Sequence, residues 1–263
     1  MTVATSGAAT SGQRRAYLRI ARGRLKPLAG IAGIAVAAVA AGAIYAPSAG
    51  ARPASPVRPT QELVALLEPH KVFATLGAHA SRTGALPATR PITGGQTVLP
   101  VVGHGTTASG ARRLRVMLPG RPNGATGWIA QSATTRTSTG WRIVLRTSIR
   151  KVNVYRQGRL VRSFKAVVGK PSTPTPSGRF FVEESILMPP GSAGAPFALA
   201  LSARSNVLQE FEGGPGQIAI HGVANLGGTP GTAVSHGCVR LADANIRWLA
   251  ARVGPGVPVS ITP

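Results

Sequence analysis

The sequence predicts a mainly β protein built from two β-rich units in succession, and three observations predict it. Between residues 70 and 135, short runs rich in Val, Leu and Ile alternate with Gly, Pro and Asn turn signals. From Trp141 onward the β pattern is nearly continuous. One stretch near the C-terminus, beginning at Asp243, changes to helical spacing. A chain of 263 residues holds either one large domain or two small ones. The change of pattern after residue 135 argues for two.

The N-terminal region reads as an export segment. Residues 1–27 form a basic, acid-free stretch containing Arg14, Arg15, Arg19, Arg22, Arg24 and Lys26. Residues 28–46 are an uncharged run of 19, rich in Ala, Gly, Ile and Val, which is long enough to span a bilayer. Positive charge on its N-terminal side keeps residues 1–27 cytoplasmic. Ala49-Gly50-Ala51 resembles a small-residue cleavage site, so a cleaved signal peptide and an uncleaved signal anchor are both open. Either outcome places the rest of the chain outside the cytoplasm. Residues 47–69 are expected to be a linker: 47–60 are rich in Pro, Ala, Ser and Arg, and Gln61–Glu68 reads as one or two helical turns.

In the first β unit, residues 70–135, the predicted runs are Val72–Leu76, Thr97–Val102, Leu114–Leu118 and Gly127–Ala130. Gly94-Gly95, Pro119-Gly120 and Asn123-Gly124 punctuate them, and the spacing suggests a small β-barrel. The segment LRVMLPGRPNGATGWI, residues 114–129, resembles bacterial SH3-like wall-associated modules. A structural spacer and a glycan- or peptide-binding module are both open. His70, His79 and His104 have no metal-site spacing and receive no role. Thr135–Thr139 is polar and is expected to be the joint between units. Chemistry is expected to reside in residues 141–263 and to survive removal of 70–135.

In the second unit, Trp141–Ser148 is a strand, and a hairpin follows with Gln157-Gly158 at its turn. Gly178–Glu183 and Phe197–Ser202 are further strands, with a Gly/Pro loop at 188–196 between them. Ile246, Leu249, Ala250 and Val253 share one helical face, with Asp243 at the start and Gly254-Pro255 at the stop. Asp243 is expected to cap that helix. Val257, Val259 and Ile261 alternate as a final strand.

The chemistry-bearing residues cluster in IAIHGVANLGGTPGTAVSHGCVR, residues 218–240. It contains the single cysteine of the chain, Cys238, and two of the five histidines, His221 and His236. A strand delivers His221 into a Gly-rich loop, and Ser235-His236-Gly237-Cys238 closes the unit. A lone cysteine is commonly a small buried hydrophobe, but polar Ser235 and His236, Gly237 and Arg240 are not a core pattern. A metal site drawing on His221, His236 and Cys238 was weighed against the absence of CxxC and HExxH motifs and the presence of a single Asp. We expect no metal and no cofactor. With one cysteine the sequence offers no disulfide partner, so in an exported chain the thiol is expected to have a task.

These residue types suit thiol acyl transfer. His221 takes the Cys238 proton and later returns it to a leaving amine, and Cys238 attacks an amide carbonyl. The N–H groups of Gly237 and Cys238 are candidate oxyanion donors. Asp243 is a possible orienter of His221. His236 either touches substrate or holds the loop. Ser235 is expected to fix the loop through its hydroxyl, and Arg240 either pairs with a substrate carboxylate or clamps the start of the helix.

His-Gly, a loop, then Ser-His-Gly-Cys-Val-Arg resembles the active-site motif of the L,D-transpeptidase family, the YkuD catalytic domain. VGKPSTPTPSGRF at 168–180 resembles the family's Gly/Pro-rich segment before a core strand. The resemblance covers residues 141–263; the loop between His221 and Ser235 is compact for the family. It implies that the carbonyl of Gly222 orients His221. It also implies peptidoglycan stem peptides as substrate, with 3→3 cross-links formed through a thioester during cell-wall biogenesis and the upkeep of cell shape. L,D-carboxypeptidase activity at the same site and a non-catalytic wall-binding protein are the alternatives. Thirty basic residues against seven acidic give a net charge of +23. The basic residues are scattered and no recognition motif is present, so nucleic acid is not an expected partner. The cell wall is, as is the membrane through residues 28–46 if they are retained.

Overall fold

The computed structural model describes residues 57–77, 80–211 and 213–263. The predicted segments 1–27 and 28–46, most of the linker and His79 lie outside them.

The first unit is an antiparallel sheet of seven strands: β1 (Gln61–Leu66), β2 (His70–Phe73), β3 (Arg82–Leu86), β4 (Val98–Thr106), β5 (Arg112–Met117), β6 (Thr126–Ala130) and β7 (Thr134–Thr139). Their order across the sheet is β3-β2-β6-β5-β4-β1-β7. Two sequence expectations fail here for one reason. Gln61–Glu68 is not helical: residues 61–66 form β1, paired with β4 on one side and β7 on the other. Thr135–Thr139 is not a loose joint, because it belongs to β7 and pairs residue for residue with β1. Leu, Ala and Glu favour helix locally, but two backbone ladders override that preference. The run Leu63–Leu66 is buried throughout. Val64 and Leu66 enter the core of the first sheet. Leu63 faces the other way, where a Cβ on Gly256 of the second unit would come within 3.0 Å of its Cδ1. A strand covered on both faces loses the hydrophobic alternation by which strands are recognised.

The second unit is an eight-stranded mixed sheet. Its strands are β8 (Trp141–Arg146), β9 (Lys151–Arg156), β10 (Arg159–Lys165), β12 (Gly178–Leu187), β13 (Phe197–Arg204), β14 (Gln217–His221), β16 (Val239–Arg240) and β17 (Pro258–Thr262). They lie in the order β10-β9-β8-β17-β12-β13-β14-β16. A short parallel pair, β11 (Val168–Gly169) with β15 (Ala233–Ser235), lies beside it. The helix α1 (Asp243–Ala250) buries Ile246 and Leu249 into the same core. The predicted hairpin turn is present, with Gln157 at φ 50° and Gly158 at φ 77°, the left-handed pair that a tight two-residue hairpin turn requires.

Strand β12 joins the two units. Phe180 packs into the core of the second sheet and Phe181 into that of the first, as side chains alternate across a strand. Each fully buried aromatic contributes about 1.5–3 kcal/mol of apolar transfer. The next residue pair carries buried charge. Glu183, 1% exposed, accepts ion pairs from Arg90 of the first unit and from Arg204 of β13, the latter at 3.0 Å. Glu184 accepts the backbone N–H of Thr93 at 2.8 Å. Asn123 donates to the Arg204 carbonyl at 2.7 Å and accepts the Arg204 N–H at 2.8 Å. Hydrophobic and ionic contacts thus cross between the sheets at one strand.

Glu183→Gln would leave two buried guanidiniums facing a neutral amide. Breaking a buried pair from one side costs about 3–5 kcal/mol, and for a unit of this size that lowers Tm by roughly 10 °C. Thermal unfolding followed by circular dichroism checks it; a Tm within a degree of the parent would contradict the role given to this carboxylate.

Candidate active site

Strand β14 sets the first functional side chain. Ile218 and Ile220 point into the core, which turns Gln217, Ala219 and His221 to the opposite face. That face opens on a cavity of about 1080 Å³. Strand β16 pairs with β14 in parallel, with Ile220 opposite Val239 and His221 opposite Arg240. The residue before β16 is Cys238. Its sulfur accepts the backbone N–H of Ala219 at 3.4 Å, and Sγ lies 3.9 Å from the Gln217 carbonyl oxygen. The thiol therefore lies at the edge of β14 beside Ala219, two residues before His221, and both side chains line the cavity.

The imidazole is oriented by its own neighbour. His221 Nδ1 lies 2.8 Å from the carbonyl oxygen of Gly222. A carbonyl only accepts, so Nδ1 carries the hydrogen and the neutral ring keeps its lone pair on Nε2. Burial is the largest influence on this ring and pushes its pKa below the ordinary 6.5. The Gly222 carbonyl acts in the opposite direction, and the nearby Arg240 charge adds to the lowering. Neutral imidazole is thus the favoured form near neutral pH.

Behind the ring lies Gly194, at φ 82°. A Cβ there would come 2.6 Å from His221 Nδ1, so only bare backbone fits. The Gly194 carbonyl also accepts the Gly222 N–H at 2.8 Å. Asp243 does not cap its helix. The N-cap is Ala242, with no side-chain cap bond, and Asp243 is the first helical residue. Its carboxylate instead accepts the Val223 N–H at 3.3 Å, bracing the chain just past His221.

The turn that presents Cys238 is tied from inside and from below. Ser235 is fully buried, and its hydroxyl donates to the Cys238 carbonyl at 2.6 Å while accepting the Gly237 N–H at 3.2 Å. The Gly237 N–H, expected to point to an oxyanion, is thus held by Ser235. Gly237 sits at φ 119°, a conformation that a side chain would strain. From the 168–180 segment, Thr173 donates to the Ser235 carbonyl at 3.2 Å and Thr175 to that of Gly237 at 2.8 Å. Thr175 also accepts the Gly169 N–H at 2.9 Å, closing its own segment.

His236 is exposed and stacks at a tilt on Phe211, ring centroids 5.5 Å apart. Arg240 is buried and donates to the Gly227 carbonyl, which ties down the loop after His221 rather than the helix start. Among the predicted residues, His221, His236, Cys238 and Arg240 share the cavity wall. Ser235 and Gly222 act from behind it. Gly194, Thr173 and Thr175 were not anticipated. The only sign of the two threonines was their alternation with prolines in PSTPTP, and nothing in the sequence singled out Gly194 among the glycines.

A family model described as the L,D-transpeptidase catalytic domain (YkuD) matches residues 140–261. The chain is similar to a putative L,D-transpeptidase YkuD from Bacillus licheniformis, 34% identical over 123 residues, covering 47% of this chain and 66% of that protein. It is also similar to L,D-transpeptidase 1 from Mycobacterium tuberculosis, 31% identical over 120 residues, covering 41% of this chain and 45% of that protein. The chain thus spans less than two thirds of the length of these relatives. Against the crystal structure of the Mycobacterium tuberculosis enzyme the identity is 26%, over 57% of this chain and 71% of that one, at a TM-score of 0.34. The likeness to these proteins lies in residues 140–261, the segment that matches the L,D-transpeptidase (YkuD) catalytic domain.

Proposed function

We propose that the chain is a cysteine-dependent L,D-transpeptidase that cross-links peptidoglycan stem peptides through a thioester. One observation carries the reading. An imidazole whose Nδ1–H is held by Gly222 and a thiol held at the edge of the same strand open into one cavity.

In the proposed cycle, Nε2 of His221 accepts the Cys238 proton and the thiolate attacks the amide carbon after a diamino acid. The tetrahedral adduct collapses, the C–N bond breaks, and the imidazolium gives its proton to the departing terminal amino acid. The side-chain amine of a second stem then loses a proton to His221 and attacks the thioester, which releases the cross-linked product and restores the thiol. The N–H of Cys238 meets the oxyanion, while that of Gly237 stays with the Ser235 hydroxyl and fixes the turn. Arg240 holds the loop wall and adds its charge to the burial that favours the neutral His221 ring. His236 borders the cavity mouth, where it meets substrate.

The action is at the wall, outside the cytoplasm, with residues 28–46 as cleaved leader or retained anchor. The net charge of +23 favours an anionic wall surface. The first β unit would then serve at that surface as well.

Capture by a strained β-lactam tests the site. A carbapenem ring opened by the thiolate keeps its leaving amine tethered, so the acyl-enzyme persists. Intact-protein mass spectrometry should show one added drug mass on Cys238 and none on Cys238→Ala. An adduct elsewhere, or none under drug excess, would refute the assignment.

The acid limb gives a second test. Only neutral His221 can accept the proton, and its pKa is lowered, so the acid limb of acylation should be centred below pH 6.5. Stopped-flow acylation against pH checks this; a limb centred above 6.5 would contradict it.

A further inference from the structure

We infer that the first β unit builds part of the substrate cavity: Ile92 touches the aliphatic portion of the bound peptide, and Arg121 positions the facing wall. This rests on the proposed function for the identity of the peptide, but not for the existence of the wall.

Ile92 is 59% exposed, yet the loop carrying it is firmly held. The loop closes on itself, with the Arg90 N–H donating to the Gly95 carbonyl at 2.7 Å and the Gly94 N–H to that of Arg90 at 3.0 Å. It is bolted to β12 through the Arg90–Glu183 ion pair and the Thr93–Glu184 bond at 2.8 Å. These contacts fix an aliphatic side chain in the wall of the cavity that holds His221 and Cys238. An apolar group presented to a cleft fits an apolar ligand surface.

The second contact acts at a distance. The segment Ser205–Gly216 supplies Leu208 and Phe211 to the same cavity. Arg121, from the turn between β5 and β6, donates to three carbonyls of that segment: Ser205 at 2.8 Å, Leu208 at 3.1 Å and Pro215 at 2.9 Å. A planar guanidinium fork can reach three carbonyls at once, and an ammonium cannot reproduce that geometry. Ile92, Met188, Leu208 and Phe211 thus bring apolar side chains into the wall of the cavity that also holds His221, Cys238 and Arg240. Two of its supports come from the first unit. This revises the expectation that residues 70–135 can be removed without effect on soluble peptides.

The test uses the full chain with Ile92→Asp, Ile92→Leu and Arg121→Lys, and Leu160→Asp as a control at an exposed aliphatic outside the cavity. Two quantities are measured. One is KM and kcat for a tetrapeptide stem. The other is the rate of Cys238 alkylation by N-cyclohexylmaleimide relative to iodoacetamide. Loss of one aliphatic contact should raise KM about tenfold in Ile92→Asp, with kcat little changed. The maleimide preference should fall with it, and iodoacetamide should react as in the parent. Ile92→Leu should restore both values, Arg121→Lys should raise KM severalfold, and Leu160→Asp should change neither. Parental KM and parental maleimide preference in Ile92→Asp would overturn the inference. If the parent turns over no stem peptide while Ile92→Asp still loses maleimide preference, the wall stands and the proposed function falls.

Discussion

The site depends on a two-residue parallel ladder between β14 and β16. Pairing Ile220 with Val239 and His221 with Arg240 places Cys238 over Ala219. The imidazole turns to the cavity because β14 buries its alternate residues, Ile218 and Ile220, and the thiol at the strand edge lines the same cavity. A slip of one residue would turn the Cys238 thiol and the His221 ring away from each other. So short a ladder cannot hold its own register. The Ser235 hydroxyl, the Thr173 and Thr175 hydroxyls and the Arg240 bond to Gly227 hold it from outside. The segment 168–180 serves the site in this way through Thr173 and Thr175.

Electrostatics follows from the same packing. Bringing Arg240 opposite His221 places a fixed positive charge beside a ring that burial already disfavours as a cation. The neutral base is thereby maintained without a carboxylate partner. A backbone carbonyl fixes the tautomer instead, and Asp243 braces the following residue rather than the ring. A buried carboxylate is used elsewhere, where Glu183 binds Arg90 and Arg204 across the junction of the two sheets. Through Gln217, which donates to Glu183 at 3.3 Å, that junction reaches the base of β14.

Much of the second unit was legible in the sequence because its signals are local. The Gln157-Gly158 turn, the helical spacing of Ile246 and Leu249, and the alternation of Val257, Val259 and Ile261 each need only a few neighbours to be read. The cluster of His221 and Cys238 was legible because nucleophile and base lie within one loop of each other. What stayed hidden depends on distant partners. β1 reads as helical because its burial on both faces erases alternation. β7 reads as a polar joint because its strand character comes from pairing with β1, more than sixty residues earlier. Gly194, Glu183 and Ile92 carry no local mark at all; their roles exist only once β12, β13 and β14 are side by side.

The central claim is that Cys238 and His221 pass an acyl group from one stem peptide to another. Incubation of the full chain with purified disaccharide tetrapeptide, followed by liquid chromatography and tandem mass spectrometry, tests it most directly. The account predicts dimers joined between two diamino acid residues, with release of one terminal D-Ala for each link formed, and no dimer from Cys238→Ala. Dimers formed equally by Cys238→Ala, or tripeptide monomer as the sole product, would contradict it.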